Sequence, residues 1–291
     1  MPEADSIYNM HNKMLRHTLH FRAHGRLADG LLVALVSAVL LAIFGGLMVQ
    51  MANQPDTITL YCAVGLMPPV EELTRTYEQQ HSVHIRIQPA NSGALLAQIQ
   101  LDSHGDLYLP ADDRFVAMAS EKELVARSIP LVNMRLVLAV NQGNPKKIQS
   151  LDDLLRQDVY FGIAFEQAAA GRKTREMLAA TGRWNQIKSS AKVSKPTVTE
   201  VAQDVQIGSV DAAFIWDATA YQFGLEIIPI PELASADAQV AIALLRRSSD
   251  PDKAMRFVDY LASSQHARDI FTRYHYQTIR RHVLPMESKL P

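Results

Sequence analysis

Two turns in the sequence have the residue types of an anion-binding helix start. Asn91 and Ser92 are residues that begin helices, and Gly93 adds no side chain that would crowd the first turn. Gly65 lies in a second turn, directly after a strand-like run. A polar, glycine-containing turn that opens a helix directs several free backbone N–H groups at one point, and this arrangement binds anions. The residue types therefore indicate an anion site built from turns.

The segment around these turns predicts alternating strands and helices. Strands are predicted at residues 57–63, 83–88 and 106–110, with helices at 70–80 and from Ser92 onward. This order is typical of a parallel sheet with right-handed crossovers, in which ligands lie beyond the carboxyl ends of the strands. Gly65 and Ser92 both follow a predicted strand and open a helix. We therefore expect the two turns at the same edge of the sheet.

The remainder of the chain repeats this alternation. Further strands are predicted at 135–140, 159–165, 212–216, 225–230 and 239–245. The chain is expected to form a first lobe of strands and helices, to cross into a second lobe, and to return to the first lobe near its end. This order predicts a bilobed α/β fold with parallel or mixed sheets and a ligand between the lobes. Lobe 1 is predicted at 57–138 plus 241–291, and lobe 2 at 139–240. The crossover strands near 136–140 and 239–243 would form the hinge.

The composition argues against several classes of function. The chain has 291 residues and a formal net charge of −1, so nothing suggests a nucleic-acid partner. Cys62 is the one cysteine, which rules out an internal disulfide framework and a multi-cysteine metal site. The common nucleophile, nucleotide-binding and zinc-protease motifs do not occur. We predict a binding protein with no catalytic residues, no metal and no cofactor.

The N-terminal part has the composition of a membrane segment. From Leu31 to Val49 nearly every residue is apolar, and such a helix rises about 28 Å, close to the ~30 Å hydrocarbon core. We predict a cytoplasmic leader at 1–29 and an uncleaved transmembrane signal-anchor at 30–54, with a cleavable signal peptide as the alternative. Basic residues in the leader keep it inside by the positive-inside rule. The predicted location is the inner membrane, single-pass, with the binding domain in the periplasm or outside the cell.

Several runs of the sequence resemble the molybdate-binding proteins of ABC importers. They are Y-C-A-V-G-L, N-S-G-A-L-L-A-Q-I and G-D-L-Y-L-P-A-D, followed by A-A-A-G at 168–171, K-P-T-V-T-E-V-A at 195–202 and I-W-D-A-T-A at 215–220. The resemblance covers about residues 57–280. It implies a type II periplasmic binding protein fold, here preceded by the predicted transmembrane helix. It also implies molybdate or tungstate as the ligand and an ABC permease with its ATPase as partners.

The resemblance further implies which residues hold the oxyanion. Carried to the matching positions, they are Gly65, Ser92, Ala170, Val198 and Trp216. The family's first-turn serine corresponds to Gly65, which can donate only through its backbone. The family's tyrosine corresponds to Trp216, whose indole N–H is a longer donor with a different direction. The resemblance thus implies that the ligand is an oxyanion. The two departures, at Gly65 and Trp216, affect which oxyanion the site would select.

Alternatives for the charges near the site and for the function stay open. Asp106, Asp112 and Asp217 lie near the same predicted edge, and one of them could enter the site. Arg172 could add positive charge to the anion or be a solvated helix residue. For the function, one alternative is an anchored sensor that uses the same binding lobes, and another is a receptor for a different small anion such as sulfate.

Overall fold

The computed structural model describes residues 36–37, 39–44, 56–102 and 104–279. The chain divides into two units, Met1–Pro55 and Asp56–Pro291. In the first unit, the described residues 36–37 and 39–44 are helical. The predicted leader and most of the predicted transmembrane segment lie outside the described residues. Within the described ranges, no helix is long and apolar enough to cross a membrane.

In the second unit strands and helices alternate. The strands are β1 (Asp56–Ala63), β2 (Val83–Ala90), β3 (Leu107–Leu109), β4 (Val125–Val140), β5 (Phe161–Ala164), β6 (Val193–Lys195), β7 (Ala212–Trp216), β8 (Glu226–Ile228), β9 (Asp237–Leu245) and β10 (Gln277–Thr278). The helices are α1 (Met67–Gln80), α2 (Ser92–Leu101), α3 (Asp113–Glu121), α4 (Ala169–Ala180), α5 (Trp184–Ser190), α6 (Val198–Gln206), α7 (Asp217–Gln222), α8 (Pro251–Ser263) and α9 (Gln265–Arg273). Short 3-10 turns lie at Val64–Leu66, Asp153–Leu155 and Pro231–Leu233.

The described strands form one mixed sheet. Its order is β2-β1-β3-β9-β4-β7-β5-β6, and β8 and β10 also pair with β4. The predicted parallel arrangement of the first three strands is confirmed, since β1 runs parallel to β2 on one side and to β3 on the other. β9 then joins β3 in the antiparallel sense. The turns after β1 and β2 therefore lie at the same sheet edge, as expected.

β4 is much longer than the sequence indicated. The apolar run at 135–140 predicts only the end of this strand, which begins at Val125. The earlier part contains Pro130, a residue that argues against a central strand because it lacks an N–H. The register against β9 shifts between Pro130 and Val132. The proline thus lies at an irregularity of the ladder, where its missing donor is tolerated.

The two predicted crossover strands lie side by side at the centre of the sheet. β4 pairs with β9 along residues 125–135 and with β7 along residues 136–140. One continuous strand therefore belongs to both halves of the sheet. The assignment of the two lobes and of the hinge stays a prediction.

The helical stripes of the sequence are buried as their spacing predicts. In α1, for example, Val70, Leu73 and Tyr77 face the core. The sequence does not predict three short elements, which are α5, β6 and β10. Each spans at most two turns or three residues, which is too short for hydrophobic periodicity to show.

Candidate functional site

A small cavity lies at the sheet edge where the predicted anion-binding turns meet. The residues that line it are Ala63, Val64, Gly65, Asn91, Ser92, Ala111, Ala168, Ala169, Ala170, Thr197, Val198 and Trp216. The cavity volume is about 20 Å³. One buried water needs about 10–15 Å³, so the cavity in this conformation has room for one or two water-sized groups.

The structure brings all five predicted site residues to this one cavity. Gly65, Ser92, Ala170, Val198 and Trp216 come from separate strand-to-helix connections, and each lines the cavity wall. Their shared position is therefore a structural finding. Whether each one contacts a ligand stays a prediction.

The starts of several helices converge on the cavity. Ser92, Ala169 and Val198 are the first residues of α2, α4 and α6, and Trp216 directly precedes α7. The first backbone N–H groups of a helix have no partner inside that helix. The same ends carry the positive pole of the helix dipole. The cavity therefore has the backbone chemistry of an anion site.

Ser92 has a hydroxyl proton that is free to be donated. The residue is 1% exposed, and its Oγ accepts from the backbone N–H of Ala111 at 3.1 Å. A hydroxyl has one donor besides its acceptor sites. Among the described residues none accepts this proton, so it is available to a ligand in the cavity.

Two hydrogen bonds join opposite walls of the cavity. The Asn91 amide donates to the Pro196 carbonyl at 3.2 Å, and the Gly93 N–H donates to the Gln167 carbonyl at 2.9 Å. A Cβ at position 93 would lie 2.6 Å from that Gln167 oxygen. Position 93 therefore requires a glycine because the two walls approach each other closely there. Crowding within its own helix is a weaker reason for the glycine.

Gly65, Val198 and Trp216 pack against one another. A Cβ built on Gly65 would lie 3.1 Å from Val198 Cγ1 and 4.0 Å from Trp216 Cδ1. Cδ1 is the ring carbon beside the indole nitrogen, so the N–H edge of the tryptophan lies near position 65. The side chain of Val198 thus occupies the space beside this glycine.

Among the residues that the structure describes, no charged side chain lines the cavity. The three candidate aspartates have structural partners. Asp106 accepts from Thr59 N at 2.8 Å and from the Ser248 hydroxyl at 2.6 Å. Asp217 accepts from Arg135 N at 3.0 Å, and burial raises the pKa of its carboxyl above the ordinary value. The open question of an aspartate in the site is therefore answered for the described residues, since none of the three faces the cavity.

Asp112 and Arg172 form an ion pair beside the cavity. Asp112 caps α3 by accepting from Arg114 N at 2.8 Å, and its other oxygen accepts from Arg172. Arg172 also pairs with Glu176 at 2.8 Å. Arg172 is thus neither a solvated residue nor part of the cavity wall, and two carboxylates compensate its charge.

Two tyrosines behind the wall were not found from the sequence. The Tyr276 hydroxyl donates to the Gly65 carbonyl at 2.6 Å, and the Tyr108 hydroxyl donates to the Ser92 carbonyl at 2.8 Å. Tyr276 is far from Gly65 in the chain, and no spacing rule joins them. Tyr108 lies in the G-D-L-Y-L-P-A-D run, which indicates its strand but not its contact.

Groups of three or more His, Cys, Asp or Glu side chains that could hold a metal ion do not occur among the described residues.

The chain belongs to the bacterial extracellular solute-binding protein family, because residues 58–277 match that family. The fold, with its mixed sheet and its cavity at the strand-to-helix turns, agrees with this class of protein. The predicted α/β periplasmic binding protein fold is confirmed.

Named relatives include proteins described as binders of oxyanions. The molybdate-binding protein ModA of Mycobacterium tuberculosis is 27% identical over 244 residues, which cover 79% of this chain and 91% of that protein. The periplasmic molybdate-binding protein of Azotobacter vinelandii has a similar fold, with a TM-score of 0.65 at 14% identity over 77% of this chain and 100% of the other. The sulfate-binding protein SubI of M. tuberculosis has a TM-score of 0.64 at 16% identity over 77% and 87% of the two chains.

Proposed function

We propose that this solute-binding protein captures a tetrahedral oxyanion, molybdate or tungstate, in the cavity and delivers it to an ABC importer. The observation that carries this proposal is the uncharged cavity at which several helices begin. Its ligand contacts would come from Gly65, Ser92, Ala170, Val198 and Trp216. The ligand would lie between the two predicted lobes.

The physical chemistry of the cavity supports a dianion held by neutral donors. Moving an isolated charge out of water costs on the order of tens of kcal/mol by Born arguments. Each hydrogen bond to a charged group contributes about 1.5–3 kcal/mol net, and the dipoles of several helices add to this. Backbone N–H groups, the Ser92 hydroxyl and the Trp216 indole together offset the loss of water around the ligand.

The relatives support molybdate, and one neighbour supports sulfate as a second candidate. ModA of M. tuberculosis is described as binding molybdate, and so is the A. vinelandii protein. SubI has a similar fold and is described as binding sulfate. Sulfate is also a tetrahedral dianion without a proton at neutral pH, so the same donors suit it.

Calorimetry tests the ligand. The fragment from Asp56 onward, which contains every lining residue, is titrated with molybdate, tungstate, sulfate and phosphate. We expect heat of binding with molybdate and tungstate and tighter binding of these two than of sulfate. The absence of heat with both, together with clear binding of another solute, would overturn the assignment.

We also propose that residues 30–54 anchor the protein in the inner membrane with the binding domain outside the cytoplasm. The apolar run from Leu31 to Val49 supports this. The test uses the full chain with an epitope tag at each end, followed by membrane fractionation. An anchored protein carries both tags in the membrane fraction after alkaline washing. Loss of the N-terminal tag with a soluble remainder would instead identify a cleaved signal peptide.

A further inference from the structure

One side-chain amide joins the two ends of the described sheet. Asn91 comes directly after β2 and Pro196 directly after β6, and the Asn91 Nδ2 donates to the Pro196 carbonyl oxygen at 3.2 Å. In the sheet order, β1, β3, β9, β4, β7 and β5 lie between β2 and β6. Strands seven places apart in a flat sheet would be separated by about 33 Å. The path of strands therefore turns back on itself, and its two ends meet at this hydrogen bond.

The orientation of the Asn91 amide is fixed by its own helix. The Asn91 Oδ1 accepts from the N–H of Ala94 at 2.9 Å and so caps α2. The other atom of the amide group is then the NH2 donor, which bonds to the residue before Thr197, the cap of α6. One side chain thus holds together the starts of two helices that both begin at the cavity.

Two further contacts link the part of the protein around β1, β2 and β3 to the part around β5 and β6. The Gly93 N–H donates to the Gln167 carbonyl at 2.9 Å, and Asp112 pairs with Arg172. Like the bond of Asn91, neither contact belongs to the ladder between strands. A movement of one part away from the other would therefore break all three contacts while leaving the sheet paired.

The size of the cavity requires such a movement. The volume of about 20 Å³ has room for one or two water-sized groups, whereas a tetrahedral oxyanion has four oxygens around a central atom. The walls must therefore move apart for an oxyanion to enter and to leave. The contacts across the cavity oppose this opening.

We propose that Asn91 is a positioning residue, whose amide holds the cavity walls together around the ligand and thereby sets the rate at which the ligand leaves. A bond that forms only when the walls are together stabilises the closed conformation and not the open one, so it shifts the balance between them. This inference rests on the proposed function and names a residue that controls release from the same site.

The test is the rate of molybdate release from Asn91→Ser. Serine caps a helix about as well as asparagine, but its side chain is too short to reach Pro196. Stopped-flow fluorescence of the full chain follows binding, since Trp216 lines the cavity, and the observed rates at several molybdate concentrations give both rate constants. We expect the dissociation rate constant to rise by about two- to tenfold, the effect of one hydrogen bond, without a fall in the association rate constant.

Gly93→Ala tests the same closure at a residue that does not line the cavity. Its Cβ would lie 2.6 Å from the Gln167 carbonyl oxygen, so the two walls must separate there. Alanine is a better helix former than glycine, so α2 itself is not weakened. We expect the dissociation rate constant of molybdate to rise in this variant as well.

Gln142→Ser is the matched control. The Gln142 amide also donates to a backbone carbonyl at the protein surface, that of Gly224 at 2.8 Å, but Gln142 does not line the cavity and its bond does not cross it. Circular dichroism identifies the variants that fold. We expect the control to keep both wild-type rate constants.

Three outcomes separate the possible failures. If the wild type binds molybdate but Asn91→Ser keeps its dissociation rate constant, the role of Asn91 is overturned and the proposed function stands. If Asn91→Ser releases molybdate faster but folded Gly93→Ala does not, Asn91 acts by contacting the ligand, and its closing role is overturned too. If the wild type binds no oxyanion at all, the proposed function fails and this inference fails with it. Asn91→Ser alone decides the question when Gly93→Ala does not fold.

Discussion

At the scale of the residue, Ser92 has the side chain best placed to donate to a ligand. Its Oγ accepts from Ala111, and no described residue accepts its proton, which is thus left for the cavity. We predict that Ser92→Ala weakens molybdate binding by roughly 10- to 150-fold, the effect of one hydrogen bond to a charged group. Calorimetry measures the change in Kd.

Ser120→Ala is the control for Ser92→Ala. The Ser120 hydroxyl donates to Val116 within α3 and does not line the cavity. Its loss should leave the Kd of molybdate unchanged. An equal Kd for wild type and Ser92→Ala would remove Ser92 from the site.

Position 65 is coupled to Val198 by packing. A serine there would add the hydroxyl that the resemblance to molybdate-binding proteins implies, but its Cβ would lie 3.1 Å from Val198 Cγ1. We predict that Gly65→Ser weakens molybdate binding roughly two- to tenfold, because Val198 must leave its preferred rotamer. Adding Val198→Ala should restore the affinity, which a double-mutant cycle detects as a coupling of the two sites.

Val205→Ala is the control for this rescue. Val205 is also buried on α6 but does not line the cavity, so its truncation should leave the effect of Gly65→Ser unchanged. Additive effects of Gly65→Ser and Val198→Ala would show that the two positions are independent.

The sequence predicted the residues that line the cavity better than the tyrosines that bond to the backbone of those residues. Gly65 and Ser92 follow strand ends, and local turn chemistry is enough to place them at one edge. Tyr276 contacts Gly65 only because the C-terminal elements of the second unit pack against the N-terminal elements of the same unit. A contact between residues so far apart depends on the tertiary structure, and no local pattern in the chain encodes it.

At the scale of the element, the ion pair of Asp112 and Arg172 fixes the start of α3 against α4. The Asp112 side chain is 4% exposed and that of Arg172 is 22% exposed. We predict that Arg172→Gln lowers the free energy of unfolding by about 3 kcal/mol, because it leaves a buried carboxylate without its cation. Urea denaturation measures this loss.

Arg175→Gln on the same helix is the matched control. The Arg175 side chain is 60% exposed and pairs with Glu166 at 2.7 Å. Because solvent screens such a pair, we expect a loss below about 1 kcal/mol. Similar losses of unfolding free energy in Arg172→Gln and Arg175→Gln would show that the buried Asp112–Arg172 pair stabilises the protein no more than an exposed pair does.

The elements themselves were predictable where their pattern was long and regular. The apolar stripe of α1 and the alternating apolar residues of β1 and β2 were enough to predict these elements, which form one end of the sheet and a helix that packs on it. β4 was predicted only in part, since Pro130 lies at an irregularity that a sequence pattern does not show. Pairing across the sheet decided the length of this strand.

At the scale of the whole molecule, ligand binding should stabilise the second unit as a whole. Molybdate at about 100 times its Kd adds roughly 2.7 kcal/mol to the free energy of unfolding. For a domain of this size we predict a rise in Tm of about 5–10 °C. Differential scanning calorimetry measures it, with phosphate at the same concentration as the control. An equal rise with both anions would contradict selectivity for an oxyanion without a proton.

The position of β9 has a consequence for how this protein folds. β9 lies between β3 and β4 in the sheet, although Asp237–Leu245 comes long after both in the chain. Sheets completed by such distant pairings form slowly, because a long loop must close before the contacts are made. The pairings of β9 with β3 and β4 cannot form until the chain has been synthesised as far as Leu245.

A truncated chain tests this order of assembly. We predict that the fragment 56–236, which lacks β9 and the later elements α8, α9 and β10, fails to reach a cooperative folded state, since β3 and β4 then expose unpaired edges. Thermal unfolding, monitored by circular dichroism, would show a broad transition in place of a sharp one. The same late pairing implies that the chain needs protection from aggregation up to the moment when β9 enters the sheet.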